Sequence, residues 1–266
     1  MVKVIVVDLD GTLLTSKKKV SDYTKSYLLN LKNAGYKIVI ATGRFFGSAL
    51  KATDGARFAD YVICDNGALI FDMKKKCALF RADISEGSVC NFLDLYKLDY
   101  VNQVDISHHS HINRVSEEYF EKMFFKVTNN VEEVKKDCKN VFHMEVYTDD
   151  KFKLNELYNK LSNEMSELDI HIMQDSYSDY QWIQAMKKGC SKFNAISYLM
   201  NCLDIDINDV LAFGDGLNDI EMIKGCGIGV AISSALDGVK EVADYVTSDD
   251  NDNDGIVKFL EDFLNK

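Results

Sequence analysis

The sequence predicts an α/β protein with a Rossmann-like core, in which a parallel sheet carries helices on both faces, plus an inserted α+β domain. Three observations predict this class. Short apolar runs alternate with helical segments before residue 82, the same alternation returns after residue 187, and the stretch between them follows another pattern. We therefore expect a first domain built from residues 1–82 and 187–266, and an inserted α+β domain at residues 83–186.

The amino-terminal block predicts three buried strands and a helix between the first two. Apolar residues recur at helical spacing from Tyr27 to Ala34, with Ser21 as a candidate cap and Gly35 at the stop. The predicted strands are VKVIVVD (2–8), YKIVIAT (36–42) and ADYVICD (59–65). The following segment ALIFDMKKKCALF (68–80) is typical of a hairpin with a lysine-rich tip. Strands and helices in this order favour a parallel sheet.

The carboxyl-terminal block repeats this order, whereas the middle block does not. The helix SKFNAISYLMNCL (191–203) precedes the predicted strands VLAFGD (210–215), GIGVAI (227–232) and ADYVT (243–247). In the middle block a helix with apolar residues from Leu154 to Leu161 precedes two consecutive strands, DIHIM (169–173) and YQWIQ (180–184). That grouping of strands is the reason for expecting a separate α+β domain.

The composition excludes several classes of protein. The 266-residue chain has a formal net charge of −11, which argues against nucleic acid or an anionic membrane surface as the main partner. No apolar run is long enough to span a membrane and no signal-peptide pattern is present, so we expect a soluble cytoplasmic protein, with a monomer as the default. The seven scattered cysteines lack C-x-x-C spacing and indicate neither a disulfide framework nor a zinc site.

Polar residues and glycines collect where the predicted strands end. They are Asp8 and Asp10, Thr42 and Gly43, Asn66 and Gly67, and Gly214, Asp215, Asn218 and Asp219. Because the strands of a parallel sheet end at one edge, and open α/β sheets bind ligands there, we expect these residues to form one site.

The carboxylates at this edge predict a magnesium site. Several carboxylates repel one another unless a divalent cation lies among them, and oxygen ligands suit Mg²⁺. Asp8 and Asp215 are the best candidate ligands. The hydroxyl of Thr42, a lysine and the backbone N–H groups near Gly11 and Gly43 could then hold phosphate oxygens, which favours phosphoryl chemistry.

Five motifs in this order resemble those of the haloacid dehalogenase superfamily of phosphatases, specifically its Cof-type members. They are DLDGTLL (8–14), ATGR (41–44), NGA (66–68), SK (191–192) opening a helix, and FGDGLNDIEM (213–222) followed by GIGVA and ADYVT. The resemblance covers both outer blocks, and the inserted block fits the αβ cap of that subgroup. It implies Mg²⁺-dependent hydrolysis of phosphate monoesters through an aspartyl-phosphate, usually on sugar phosphates or related small metabolites.

The resemblance also implies a role for each motif residue. Asp8 is expected to be the nucleophile and a metal ligand. Asp10 is expected to protonate the leaving oxygen, to activate water afterwards, and to offer its backbone carbonyl to the metal; for the first step it must hold a proton at neutral pH. The implied phosphate-binding residues are Thr42, Gly43, Lys192 and Asn218. Asp215 completes the protein ligands of the metal, and the supporting residues are Gly11, Thr12 and Asp219.

Three residues are candidates for contacts to the rest of the substrate, namely Arg44, Asn66 and His109. His109 lies in SHHSH (107–111), which we expect on a polar hairpin of the cap that helps to recognise the leaving group. No carboxylate or cysteine stands at a recognisable ligand spacing from His109 and His111, so a metal site there is the weaker interpretation.

The segment DNDNDGIVKFLE (250–261) matches the calcium loop of an EF-hand at its diagnostic positions. A calcium loop needs a helix on each side, whereas ADYVTS before this one predicts a strand. We therefore expect an acidic turn, with Asp254 as the amino-terminal cap of the following helix.

Three alternatives to a phosphatase remain. A phosphomutase of the same superfamily would share the nucleophile and the acid. A phosphoreceiver signalling domain also places acidic residues, Thr and Lys at a sheet edge, but it needs neither the Asp8/Asp10 pair nor an inserted cap. A calcium-binding module would use residues 250–261.

Overall fold

A computed structural model of the chain describes residues 2–106, 110–113, 126–127, 130–136, 138–174 and 179–264. These residues form two compact units. The first unit contains residues 1–80 and 191–266, and the second contains residues 81–190. The inserted domain that we expect at residues 83–186 begins two residues and ends four residues inside the limits of the second unit.

The strands, in chain order, are β1 (Val4–Val7), β2 (Lys37–Ala41), β3 (Tyr61–Cys64), β4 (Leu69–Asp72), β5 (Cys77–Arg81), β6 (Gln103–Ile106), β7 (Ser110–Asn113), β8 (Lys126–Val127), β9 (His143–Tyr147), β10 (Leu168–Gln174), β11 (Gln181–Lys187), β12 (Val210–Gly214), β13 (Ile228–Ala231) and β14 (Tyr245–Val246). The α-helices are α1 (Asp22–Asn33), α2 (Phe46–Ala52), α3 (Glu86–Leu93), α4 (Val131–Val134), α5 (Lys151–Glu164), α6 (Lys192–Leu203), α7 (Ile220–Gly225), α8 (Asp237–Lys240) and α9 (Gly255–Leu264).

The first unit is built on a sheet in the order β14-β13-β12-β1-β2-β3-β4-β5. The six strands from β14 to β3 are parallel, and β4 pairs antiparallel with β3. The two strands of the hairpin expected at residues 68–80 are β4 and β5, which are neighbours in the sheet. β1 lies between β12 and β2, with Val7 level with Phe213 and Ile40. The α/β class is confirmed, and this register places the residues after β1, β2 and β12 at one edge.

The central strands of this sheet are buried on both sides because helices cover both of its faces. Val4, Val6 and Val39 pack with Ile196 of α6 and Met222 of α7 in one apolar core. Alternation along a strand turns the other buried residues of β1 and β2 to the opposite face, where α1 and α9 contact each other. α1 begins at the predicted cap, since the Ser21 side chain accepts the Thr24 N–H.

The second unit has a sheet in the order β10-β11-β9-β6-β7-β8. β11 pairs antiparallel with β10 on one side and with β9 on the other, and β9 pairs antiparallel with β6. One face packs its apolar side chains, among them Met144, Val146 and Ile183, against Leu157 and Leu161 of α5. The unit is an α+β domain with its own core.

No helix within the described residues has the length and apolar character needed to cross a membrane.

The acidic segment after β14 is a turn that binds the other end of the chain. The strand β14 and the immediate start of α9 agree with the expectation, but the role of Asp254 differs from it. Asp254 adopts a left-handed backbone conformation, φ +56°, and its carboxylate accepts hydrogen bonds from the hydroxyls of Ser21 (2.5 Å) and Thr24 (2.8 Å). Its side chain therefore bonds the first turn of α1 rather than the N–H groups of α9.

Candidate active site

The first acidic residue of the site follows the central strand β1. Asp8 is 5% exposed, and its backbone N–H continues the sheet by donating to the carbonyl oxygen of Phe213 on β12 at 3.1 Å. Thr42 follows β2 and donates its N–H to Ile63 of β3 at 2.9 Å. The parallel register therefore brings these two residues and Asp215, which follows β12, to the same edge, as the sequence predicts.

A buried lysine joins two of the acids. Lys192 is the first residue of α6, directly after the cap Ser191, and only 1% of its surface is exposed. Its Nζ lies 2.7 Å from Oδ1 of Asp8 and 2.6 Å from Oδ1 of Asp219. Such a buried cation is stabilised only by opposite charges at hydrogen-bond distance.

The charges of this triad shift the pKa values of its members. Burial raises the pKa of Asp8 well above its usual value, Asp219 and Asp215 raise it further, and Lys192 opposes the shift. For Lys192, burial by itself lowers the pKa, but Asp219 and Asp8 outweigh it and the pKa is raised. The lysine therefore stays protonated, and the triad carries negative charge whenever both acids are ionised.

Asp219 holds the loop after β12 as well as the lysine. Its Oδ2 accepts the backbone N–H groups of Asp215 at 3.0 Å and Gly216 at 2.9 Å. A Cβ on Gly214 would lie 2.5 Å from the Asp219 side chain, so the close approach needs glycine there. Because both carboxylate oxygens have partners, Asp219 fits a supporting role better than that of a primary metal ligand.

Asp215 is held by the loop that follows β1. Its Oδ1 accepts the hydroxyl of Thr12 at 2.6 Å. Gly11 has φ +77°, and a Cβ on it would lie 2.2 Å from Oδ2 of Asp215. Burial raises the pKa of Asp215 to about 6; the Thr12 hydrogen bond opposes this shift, and the nearby charge of Asp219 adds to it.

The acidic residues fit a divalent cation. One carboxylate oxygen each of Asp8, Asp215 and Asp219 lies within 4.8 Å of the other two. Burial raises the pKa values of Asp8 and Asp215, so a positive charge beside them would stabilise their ionised forms. Oxygen ligands that gain from a nearby positive charge are the donor set that Mg²⁺ prefers.

The Asp10 carboxylate forms ion pairs with two cationic side chains. Arg44 binds it through two hydrogen bonds, Nε to Oδ2 at 2.6 Å and Nη2 to Oδ1 at 2.7 Å, and Nζ of Lys18 lies 3.3 Å from Oδ1. Burial by itself would raise the pKa of Asp10, but the bonds and charges of Arg44 and Lys18 outweigh it, so the pKa is lowered. The expectation that Asp10 holds a proton at neutral pH therefore does not describe this conformation.

Thr42 and two asparagines form the other side of the edge. Thr42 is 1% exposed, and its hydroxyl oxygen accepts the N–H of Arg44 at 3.1 Å. The N–H of Asn66 donates to the Thr42 carbonyl at 3.1 Å, and the Asn218 amide donates to Oδ1 of Asn66 at 2.9 Å. A Cβ on Gly43 would lie 3.1 Å from the same Asn66 oxygen. The motif residues thus contact one another across the chain.

Some contacts of the site were not predicted from the sequence. Lys18 lies in a run of three lysines, SKKKV, in which no residue stands out. Arg44 was expected to contact the substrate, and the structure adds the pairing with Asp10. His109 lies outside the described residues, so its role stays a prediction.

Comparison with known proteins gives the family. The model of the haloacid dehalogenase-like hydrolase family matches residues 5–260, and the chain therefore belongs to this family. The 5-amino-6-(5-phospho-D-ribitylamino)uracil phosphatase YcsE of Bacillus subtilis is 29% identical over 97% of this chain and 94% of its own. The pyridoxal phosphate phosphatase YbhA of Escherichia coli is 26% identical over 97% of each chain. The crystal structure of a haloacid dehalogenase-like hydrolase from Bacteroides thetaiotaomicron is similar with a TM-score of 0.84, 25% identity and coverage of 98% of this chain and 99% of that one.

Proposed function

We propose that the protein is a Mg²⁺-dependent phosphatase that hydrolyses phosphate monoesters of small metabolites, sugar phosphates first among them, through an aspartyl-phosphate on Asp8. The observation that carries the proposal is the buried Lys192 between Asp8 and Asp219, beside Asp215 at the carboxyl edge of the sheet. The membership of a hydrolase family and the names of the two relatives, both phosphatases of small phosphorylated molecules, support the reaction class.

Asp8, Asp215 and the backbone carbonyl of Asp10 would hold the metal, with Asp219 fixing the loop around them. When bound, Mg²⁺ would neutralise the charge of the acids and of the transferring phosphoryl group. Side chains of the protein carry out the remaining steps of the reaction.

In the first step a carboxylate oxygen of Asp8 attacks the phosphorus atom, and the bond from phosphorus to the ester oxygen breaks. Asp10 gives its proton to the departing oxygen. The ammonium group of Lys192, already 2.7 Å from Asp8, and the hydroxyl of Thr42 stabilise the transferring oxygens. Hydrolysis of phosphate monoesters needs accelerations of up to about 10²¹-fold, so nucleophilic, acid and electrostatic contributions are all required.

In the second step Asp10 acts as a base. It takes a proton from water, the water oxygen attacks the phosphorus of the aspartyl-phosphate, and Asp8 is released with inorganic phosphate. The pair with Arg44 favours the ionised form of Asp10 that this step needs. Because the first step needs the protonated form, we propose that this ion pair opens when substrate binds.

The test is phosphate release from a panel of phosphorylated sugars, polyols, nucleotides and cofactors, with and without Mg²⁺. We expect turnover that requires Mg²⁺ and is lost in Asp8→Asn, with the circular dichroism spectrum unchanged. Substantial release by a folded Asp8→Asn protein would refute the covalent mechanism, and formation of an isomer without phosphate release would favour a phosphomutase.

A further inference from the structure

The sheet of the second unit has a polar and aromatic face opposite its apolar core. Side chains alternate between the two faces along each strand. On β9 the side chains of Met144 and Val146 face the apolar core, so those of His143, Glu145 and Tyr147 lie on the opposite face. The strand register then places two rows across this face. The first row is Trp182, Tyr147 and Gln103, and the second row is Gln184, Glu145 and Asp105.

The first row carries an aromatic surface. The Tyr147 ring lies 6.0 Å from that of Trp182, with 22° between their planes, and 6.3 Å from that of Tyr180, with 12° between them. The Tyr147 ring is therefore nearly parallel to each of these two rings. Tyr180, at one end, is 39% exposed, and Tyr147 and Trp182 are half-buried.

The second row is centred on a carboxylate whose hydrogen-bond partners are uncharged. Oε1 of Glu145 accepts the indole N–H of Trp182 at 3.0 Å and the side-chain amide of Gln184 at 2.9 Å. Oε2 accepts the hydroxyl of Tyr147 at 2.6 Å. Burial, followed by the charges of Glu145 and Asp105, raises the pKa of Tyr147 well above its usual value, so the phenol remains a donor.

We propose that this face, defined by Tyr147, Trp182 and Glu145, binds a planar nitrogen heterocycle that carries an amino group. The ring would stack on the aromatic row, and the amino group would donate to Glu145. The proposal adds a ligand class and a binding surface to the second unit, and its binding test does not depend on the proposed phosphatase activity.

The chemistry of the face selects this class over two others. A carboxylate has about four acceptor positions, and the protein fills three of them at Glu145, which leaves room for a single further donor. One amino group satisfies that position, whereas a polyol needs several partners. An anionic group would be repelled by Glu145, because no cation compensates it in the contacts above.

The chain provides its own probe, because Trp182 is its one tryptophan. Full-length protein is titrated with adenosine, cytidine and 4-aminopyrimidine, and with matched compounds that lack the amino group (purine riboside and pyrimidine) or the ring (ribose). We expect the amino compounds to change the Trp182 fluorescence saturably and the others to bind about tenfold more weakly or worse, since a hydrogen bond to a charged group is lost.

Two variants separate the ring contact from the amino contact. Glu145→Gln keeps the shape and should weaken the amino compounds about tenfold, so that they bind like their unaminated counterparts. Tyr147→Leu should weaken every ring compound by severalfold, because stacking is lost. Glu156→Gln on α5, which removes an equal charge from the helical side of the unit, should change nothing. Circular dichroism checks that each variant is folded.

Four results would overturn the proposal. The first three are no saturable change with any amino compound at millimolar concentration, equal affinity for amino and unaminated rings, and equal binding of ribose, which would make the face a carbohydrate surface. Affinities unchanged in both folded variants would place the ligand elsewhere and also contradict it.

Phosphate release, which tests the proposed function, is measured separately on the same protein. Fluorescence binding without any phosphate release would refute the phosphatase and leave the binding surface standing. Phosphate release without selective binding of the amino compounds would refute the binding surface and leave the phosphatase standing.

Discussion

Replacing Lys192 by methionine tests the electrostatic design of the site. The side chain keeps its length but loses the charge that binds Asp8 at 2.7 Å and Asp219 at 2.6 Å, in a position 1% exposed. Removing one partner of a buried ion pair leaves an uncompensated charge and lowers stability by about 3–5 kcal/mol. We expect Lys192→Met to lose this much in urea unfolding followed by circular dichroism, at pH 8 and without metal.

The loss should depend on pH in a defined direction. The pKa of Asp8 is raised in the folded protein, so the native state binds more protons than the unfolded chain, and its stability falls as pH rises through that interval. Without Lys192 the pKa of Asp8 rises further. The deficit of Lys192→Met should therefore be smaller at pH 5 than at pH 8, and added Mg²⁺ should recover part of it.

An exposed pair provides the matched control. Lys258 lies 2.8 Å from Asp249, but the two side chains are 46% and 33% exposed. Solvent screens such a pair, so Lys258→Met should scarcely change the unfolding midpoint. A Lys192→Met protein as stable as Lys258→Met, or a deficit that does not change with pH, would refute the reasoning.

Three further predictions concern the loops around the edge. Gly11→Ala should raise the Mg²⁺ concentration needed for activity, because its Cβ would meet Asp215. Gly35→Ala is the control, since Gly35 also has a positive φ but lies in open space; this variant should lose about 1–2 kcal/mol of stability and keep the Mg²⁺ requirement of the unchanged protein. The same Mg²⁺ requirement in both variants would contradict this prediction. Asp10→Asn should slow phosphoryl transfer from a sugar phosphate more than from an activated aryl phosphate, measured by single-turnover kinetics, and equal losses would contradict its role as an acid. Ca²⁺ should inhibit competitively with Mg²⁺, unchanged in Asp252→Asn, whereas micromolar Ca²⁺ activation that this variant abolishes would make residues 250–261 a calcium site.

Much of the fold and of the edge could be predicted because strand ends are local features. Val4–Val7 and Val210–Gly214 are apolar runs, and a parallel sheet necessarily brings Asp8 and Asp215 to the same edge. The expected capping of α1 by Ser21 is confirmed for the same reason, since a cap depends on a few adjacent residues.

The contacts that could not be predicted are those between side chains far apart in the sequence. Nothing in the motif ATGR distinguishes an arginine that contacts substrate from one that binds Asp10, because the choice depends on the path of the loop after β1. Asp254 is a similar case. A helix cap was the local expectation, but the hydroxyls of Ser21 and Thr24, more than 200 positions away, take its carboxylate.

Trapping the phosphorylated enzyme tests the central claim most directly. The protein is mixed with Mg²⁺ and substrate, quenched in acid within one turnover, digested and analysed by mass spectrometry. The account predicts a single phosphoryl group on Asp8, sensitive to hydroxylamine as an acyl phosphate should be, and none in Asp8→Asn. Rapid phosphate release with no phosphoryl group on Asp8 at any quench time would contradict it.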